Sequence, residues 1–104
     1  MTFEEEIYYD EKGLEALYAE FSAKLATYIS DMEDNISSLN DVIGELGRYW
    51  DSEDYRAFKR GMGQGITSTE SQIQRAIELK HEIDLARAET AAGLEKMRIR
   101  YGFD

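Results

Sequence analysis

Apolar residues recur every three or four positions through most of the first half of the chain. At about 100° per residue they fall on one stripe of a helix, with acidic side chains over most of the opposite face. The spacing predicts a first helix over residues 11–49, preceded by a short extended lead over residues 1–10. The stripe consists of Leu14, Leu17, Phe21, Leu25, Tyr28, Met32, Ile36, Leu39, Ile43, Leu46 and Trp50.

The second half of the chain keeps a similar but less regular spacing. It predicts a second helix over residues 53–99, followed by a short tail over residues 100–104. The absence of proline agrees with long helices and few turns. The apolar positions are Tyr55, Phe58, Met62, Ile66, Thr69, Ile73, Ala76, Ile83, Thr90, Leu94 and Met97.

A bend is predicted at residues 50–52, between the two periodic stretches. Trp50 is the single tryptophan of the chain, and Asp51, Ser52, Glu53 and Asp54 follow it. Asp and Ser are preferred helix N-caps, and acidic side chains in a first turn are stabilised by the helix dipole. The chain is therefore predicted to form one all-α domain, residues 1–104, a helix–turn–helix hairpin of two long antiparallel helices.

Such a hairpin has only two layers, so part of a broad apolar stripe stays uncovered. Small chains of this kind commonly gain stability by oligomerising. We therefore expect a dimer, with a second copy or with another hairpin, that closes into a four-helix bundle. The predicted interface consists of Leu17, Phe21, Leu25, Tyr28, Met32, Ile36, Leu39 and Ile43.

Three glycines, Gly61, Gly63 and Gly65, lie close together in the second helix. Their spacing and the absence of a preceding strand disfavour a nucleotide-binding loop. A close helix–helix approach or a local bend is the better interpretation, because each helical glycine costs about 1 kcal/mol relative to alanine.

The composition of the chain argues against several classes of binding partner. The net charge is −10, which argues against nucleic acid and against docking on anionic lipid. No basic and apolar leader opens the chain and no long apolar run follows, so neither a signal peptide nor membrane insertion is expected. There is no cysteine, which excludes disulfides and thiolate metal sites.

Candidate chemistry is sparse. His81 is the only histidine, and it lies away from the apolar stripe without the second histidine of a metalloprotease helix. The acidic clusters lack an EF-hand loop. The sequence therefore predicts a protein that is not an enzyme and that uses no cofactor or metal.

The segment around the predicted bend resembles a known family. Leu46 stands four residues before Trp50, and Phe58 stands eight residues after it. These positions, the chain length, the acidic charge and the missing signal peptide are similar to the WXG family, the ESAT-like substrates of bacterial type VII secretion. Ser52 stands where that family has glycine, and serine fits as an N-cap unless the turn requires a positive φ.

The resemblance extends to the C-terminal tail. The family carries an export signal of the form Tyr-x-x-x-Asp/Glu, and here the acid follows three residues after the tyrosine. The resemblance implies that Tyr101, Phe103 and Asp104 present a variant of this signal to the type VII secretion ATPase. A frayed helix end is the alternative for the same residues.

The resemblance implies a small substrate or targeting partner, exported as a folded helical dimer or bound to the helical N-terminal domain of a toxin. Such a protein is cytoplasmic before export and then secreted or on the cell surface, without a cleavable signal. The alternative is a cytosolic acidic adaptor or immunity protein that is not exported. That alternative predicts salt-sensitive binding through the acidic faces.

Overall fold

A computed structural model describes residues 1–50 and 52–103 of the chain. It contains two long helices, α1 over Phe3–Leu46 and α2 over Glu53–Tyr101. The helices pack against each other as a hairpin, and the described residues include no strand. The predicted all-α hairpin is therefore confirmed.

The N-terminal end of α1 differs from the prediction of an extended lead. The Thr2 hydroxyl oxygen accepts a hydrogen bond from the Glu5 backbone N–H at 3.2 Å and donates one to the Glu5 carboxylate, also at 3.2 Å. This Thr-x-x-Glu arrangement caps the helix in the manner of a capping box. Glu4, Glu5 and Glu6 occupy the first turn, where the helix dipole favours acids. The predicted start near residue 11 is wrong because a cap and an acidic first turn support a helix before the apolar period begins.

The connection between the helices covers residues 47–52, so the predicted end of the first helix at residue 49 is three residues too late. Arg48 and Tyr49 bond to carbonyls three residues back, at 3.2 and 3.1 Å, which is the tighter pattern that often ends an α-helix. The predicted start of α2 is confirmed. The Ser52 hydroxyl oxygen accepts a hydrogen bond from the Tyr55 backbone N–H at 3.3 Å and acts as N-cap.

The second helix continues to Tyr101, two residues beyond the predicted end. Gly102 then adopts a φ of 72°, and its N–H donates to the Arg98 carbonyl at 2.8 Å. A glycine with positive φ after the last helical residue is a common helix C-cap. The predicted turn residue Asp51 and tail residue Asp104 lie outside the described residues.

The chain divides into two compact units, each of which contains part of both helices. Unit 1 combines residues 1–26 with the end of the chain from Glu78, and unit 2 is Thr27–Ile77. Tyr8 and Ser22 are buried in unit 1. The buried side chains of unit 2 are Ile43, Ile66, Ile73 and Ala76.

Among the described residues, the buried positions other than Ala76 follow a seven-residue spacing within their helix. In α1, Tyr8, Ser22 and Ile43 are separated by multiples of seven, and in α2 Ile66 and Ile73 are seven apart. This is the spacing of side chains between paired helices. We call these buried positions the seam.

Candidate interaction surface

A second set of apolar side chains, on α1 and in the connection after it, follows the same seven-residue spacing but faces solvent. The buried residues of α1 belong to a series of positions seven residues apart. Each member of the second set stands one residue before a position of that series, about 100° around the helix from the seam. Their exposed fractions run from 38% for Ile7 and Leu14 to 82% for Tyr49. We call this set the outer column; its members are Ile7, Leu14, Phe21, Tyr28, Val42 and Tyr49.

In unit 1, one member of the outer column lines a groove beside α2. Ile7 lines a groove together with Gly93 and Met97. Phe21 is 47% exposed, and Leu17, one turn before it, is 62% exposed. Isolated apolar residues on a surface are ordinary, but neighbouring large ones mark interaction sites.

In unit 2, a groove lies between the two helices. Its volume is about 520 Å³. A Cβ atom placed on Gly61 or Gly65 would meet no atom within 4 Å, so packing within the chain does not require glycine at either position. We call this cavity the unit 2 groove; it is lined mainly by Met32, Asn35, Ile36, Ser38, Leu39, Gly61, Met62 and Gly65.

Of the two interpretations of the glycine cluster, the close approach of the two helices is wrong, and the local bend stays a prediction. A Cβ atom at Gly63 would also meet no atom within 4 Å, and α2 continues through all three glycines. The helical face that contains Gly61 and Gly65 is open because the unit 2 groove lies in front of it.

The predicted interface residues fall into two groups. Leu17, Phe21, Tyr28 and Leu39 are exposed, whereas Leu25, Met32 and Ile36 are half-buried and Ile43 is buried. The predicted stripe therefore combines side chains that the hairpin covers with side chains that it leaves open. The seven-residue spacing distinguishes Phe21 and Tyr28 from Ile36 and Ile43, but not Leu39 from Leu25 and Met32, which share its spacing.

The predicted turn residues meet at the bend. The Trp50 backbone N–H donates a hydrogen bond to the Leu46 carbonyl at 2.9 Å. The Trp50 ring centroid lies 5.8 Å from that of Phe58. Tyr55 belongs to the same cluster, with its ring 5.5 Å from Trp50, and sequence reasoning did not assign it this role. Its position in the first turn of α2, five residues after the tryptophan, was the available signal.

Tyr55 also ties the bend to the end of α1. Its hydroxyl donates a hydrogen bond to the Ile43 carbonyl at 2.9 Å. Gly47 leaves room for this contact, since a Cβ atom there would lie 2.6 Å from the Tyr55 oxygen. The close approach therefore requires glycine at position 47.

The tail is folded onto the beginning of α1. The Phe103 ring lies 5.1 Å from the buried Tyr8 ring and stacks on Tyr101 at 5.3 Å. Tyr101 remains 45% exposed. Of the predicted signal residues, Tyr101 is thus accessible and Phe103 is partly covered, while Asp104 lies outside the described residues.

A polar network joins the helices of unit 1 at the seam position Ser22. The Ser22 hydroxyl donates to Asp84 at 2.6 Å, and Lys80 donates to the other carboxylate oxygen at 2.8 Å. These bonds from Lys80 and Ser22 hold the pKa of Asp84 below its usual value. Arg87 pairs with Glu15 across the two helices at 2.9 Å. Polar pairs of this kind favour one register of two helices over others.

The described residues contain no group of three or more histidine and acidic side chains placed to hold a metal ion. His81 is exposed on α2. Neither helix is apolar enough over a sufficient length to cross a membrane. Comparisons of the chain with protein-family models, with curated proteins and with solved structures give no match.

Proposed function

We propose that this chain is a small substrate or targeting partner of a bacterial type VII secretion system, and that it acts in complex with a second helical protein. The outer column is the observation that carries the proposal. It is a row of large apolar side chains left in solvent beside a paired seam, which suits the closing of a four-helix bundle.

Two further features support the proposal. Trp50 and Phe58 pack together at the bend, at the spacing of the WXG family. Tyr101, the first residue of the proposed export signal, keeps nearly half of its surface exposed at the end of α2. The binding partner is another helical hairpin or the helical N-terminal domain of a toxin, and the tail is read by the secretion ATPase.

The first test is an export assay in the bacterium that encodes the chain. The variant Leu17→Glu/Phe21→Glu puts two charges on the exposed apolar surface of unit 1. The control Ala16→Glu/Ala23→Glu adds the same charges at exposed positions outside the outer column. We expect the first variant to remain in the cells and the control to reach the culture supernatant, as followed by immunoblot. Equal export of both would contradict a role for this exposed apolar surface of unit 1.

The second test concerns the tail. Tyr101→Ala removes an exposed ring, and Ile99→Ala removes an apolar side chain that is 71% exposed two residues earlier. Loss of export with Tyr101→Ala alone is expected if the tail is a signal. Unchanged export of both variants would count against it.

A cytosolic adaptor or immunity protein is the competing function. Its distinguishing outcome is a wild-type chain that stays inside the cell under conditions where the secretion system exports other substrates. The acidic surface of α1, with twelve acidic and two basic side chains, would then be its binding face.

A further inference from the structure

We propose that the unit 2 groove receives a helix of a partner protein that carries lysine or arginine along one edge, and not a second copy of this chain. The inference deepens the proposed function, because it states the chemistry of the partner. It rests on two observations within unit 2: the open apolar groove and the charges beside it.

The negative charge of the protein belongs to one helix. α1 has twelve acidic and two basic side chains, whereas α2 has eight acidic and nine basic ones. The two edges of the unit 2 groove therefore differ. One edge follows the acidic helix and the other follows a helix that is nearly neutral.

The edge on α1 has acidic side chains next to the residues that line the groove. Asn35 and Ser38 line the groove. Asp31 lies four residues before Asn35, and Asp34 and Asp41 flank Ser38 at the spacings that make side chains neighbours on a helix. These three aspartates form no ion pair with any residue that the structure describes. We call them the acidic edge.

The edge on α2 is uncharged, and it projects little because glycine residues line it. Gly61 and Gly65 line it, and a side chain could be built at either position without touching another atom. The residues three and four positions from these glycines carry no charge; they are Ala57, Phe58, Met62, Gln64, Ser68 and Thr69. A helix can therefore approach α2 closely while its other edge faces the aspartates.

A second copy of the chain does not supply the missing charge. A symmetric dimer places the same patch on both sides of the interface. In one arrangement the acidic edge would face itself, and like charges brought together in an interface are costly. In the other it would face the uncharged edge of the second copy, which offers no positive charge. A helix with basic side chains along one edge is complementary to both edges of the groove.

The direct test uses two designed helical peptides with the same apolar seam, one with lysine and one with glutamate along a single edge. Binding of each labelled peptide to the full chain is followed by fluorescence anisotropy at low salt. Three exposed charge pairs of ordinary strength together give about tenfold tighter binding of the lysine peptide. This difference should shrink at about 1 M salt, where charges are screened within roughly 3 Å.

Two pairs of variants assign the binding to this groove. Gly65→Leu fills the groove, and Gly63→Leu is its control because Gly63 does not line it. Both replacements favour the helix and neither new Cβ atom would meet another atom, so both variants are expected to fold. Asp31→Asn/Asp34→Asn/Asp41→Asn should weaken the lysine peptide about tenfold, whereas Glu33→Gln/Glu70→Gln, at the groove shared with Ile73 and Ile77, should not.

Three results would overturn the inference: equal affinity for the two peptides, binding of neither, or no effect of Gly65→Leu. Strong self-association of the chain at low salt in sedimentation equilibrium, abolished by Gly65→Leu, would identify a second copy as the occupant and also overturn it. A failed export assay with peptide binding intact would affect only the proposed secretion function.

Discussion

Replacing Gly47 by alanine is expected to destabilise the bend, although the same change stabilises most helical positions. The new Cβ atom would lie 2.6 Å from the Tyr55 oxygen and 3.1 Å from the ring carbon that bears it. The ring must therefore move, and its hydroxyl loses the hydrogen bond to the Ile43 carbonyl.

The magnitude follows from the two contacts that depend on the Tyr55 ring. Loss of a hydrogen bond costs about 0.5–1.5 kcal/mol, and loss of a favourable aromatic pair, here with Trp50, costs about 0.5–1.5 kcal/mol. The free energy of unfolding should fall by about 1–3 kcal/mol, with roughly 4–8 °C lost from Tm for each kcal/mol in a domain of about this size. Gly63→Ala is the control, with an expected gain of up to about 1 kcal/mol because its Cβ atom would meet nothing.

A double-mutant cycle tests the cause. Urea unfolding is measured for the wild type, Gly47→Ala, Tyr55→Phe and the double variant. Without the hydroxyl oxygen, the new Cβ atom loses its closest contact, so Gly47→Ala should cost less than half as much in the Tyr55→Phe background. An equal cost in both backgrounds would refute the argument from the Tyr55 contact.

Three further predictions concern local hydrogen bonds. Ser52→Ala should lower the free energy of unfolding by about 1 kcal/mol in urea titrations, because α2 loses its N-cap. Gly102→Ala should cost about 1 kcal/mol in the same assay, because it forces a residue with a Cβ atom to a φ of 72°. Ser22→Ala should raise the pKa of Asp84, which the bonds from Lys80 and Ser22 lower, as followed by NMR titration of the carboxyl carbon. Because the folded-state pKa is lowered, this stabilisation is present at neutral pH and is lost as the pH falls through that pKa, so wild type and Ser22→Ala should converge in acid.

The hairpin and the start of α2 could be predicted because each has a strong local signal. Apolar residues at helical spacing specify two helices, and Ser52 beside Glu53 provides a cap and an acidic first turn. The early start of α1 was also readable, since Thr2 and Glu5 have the spacing of a capping box. A search for apolar periodicity alone overlooks it.

The division of α1 into seam and outer column could not be obtained from the helical period. Ile43 is buried and Val42 is 55% exposed, yet both belong to one broad apolar surface of the same helix. Which column faces α2 depends on the pairing of the two helices. The position of Gly47 against Tyr55 likewise depends on how the chain turns, and no local pattern encodes that contact.

The position of the single tryptophan gives the protein a natural optical reporter. Trp50 lies against Tyr55 and Phe58 in unit 2, so its emission follows the opening of the bend, whereas far-ultraviolet circular dichroism averages over both helices. Coincident melting curves from the two signals would mean that the chain unfolds in one cooperative step. An earlier transition in the emission would mean that the bend opens while much of the helix content persists.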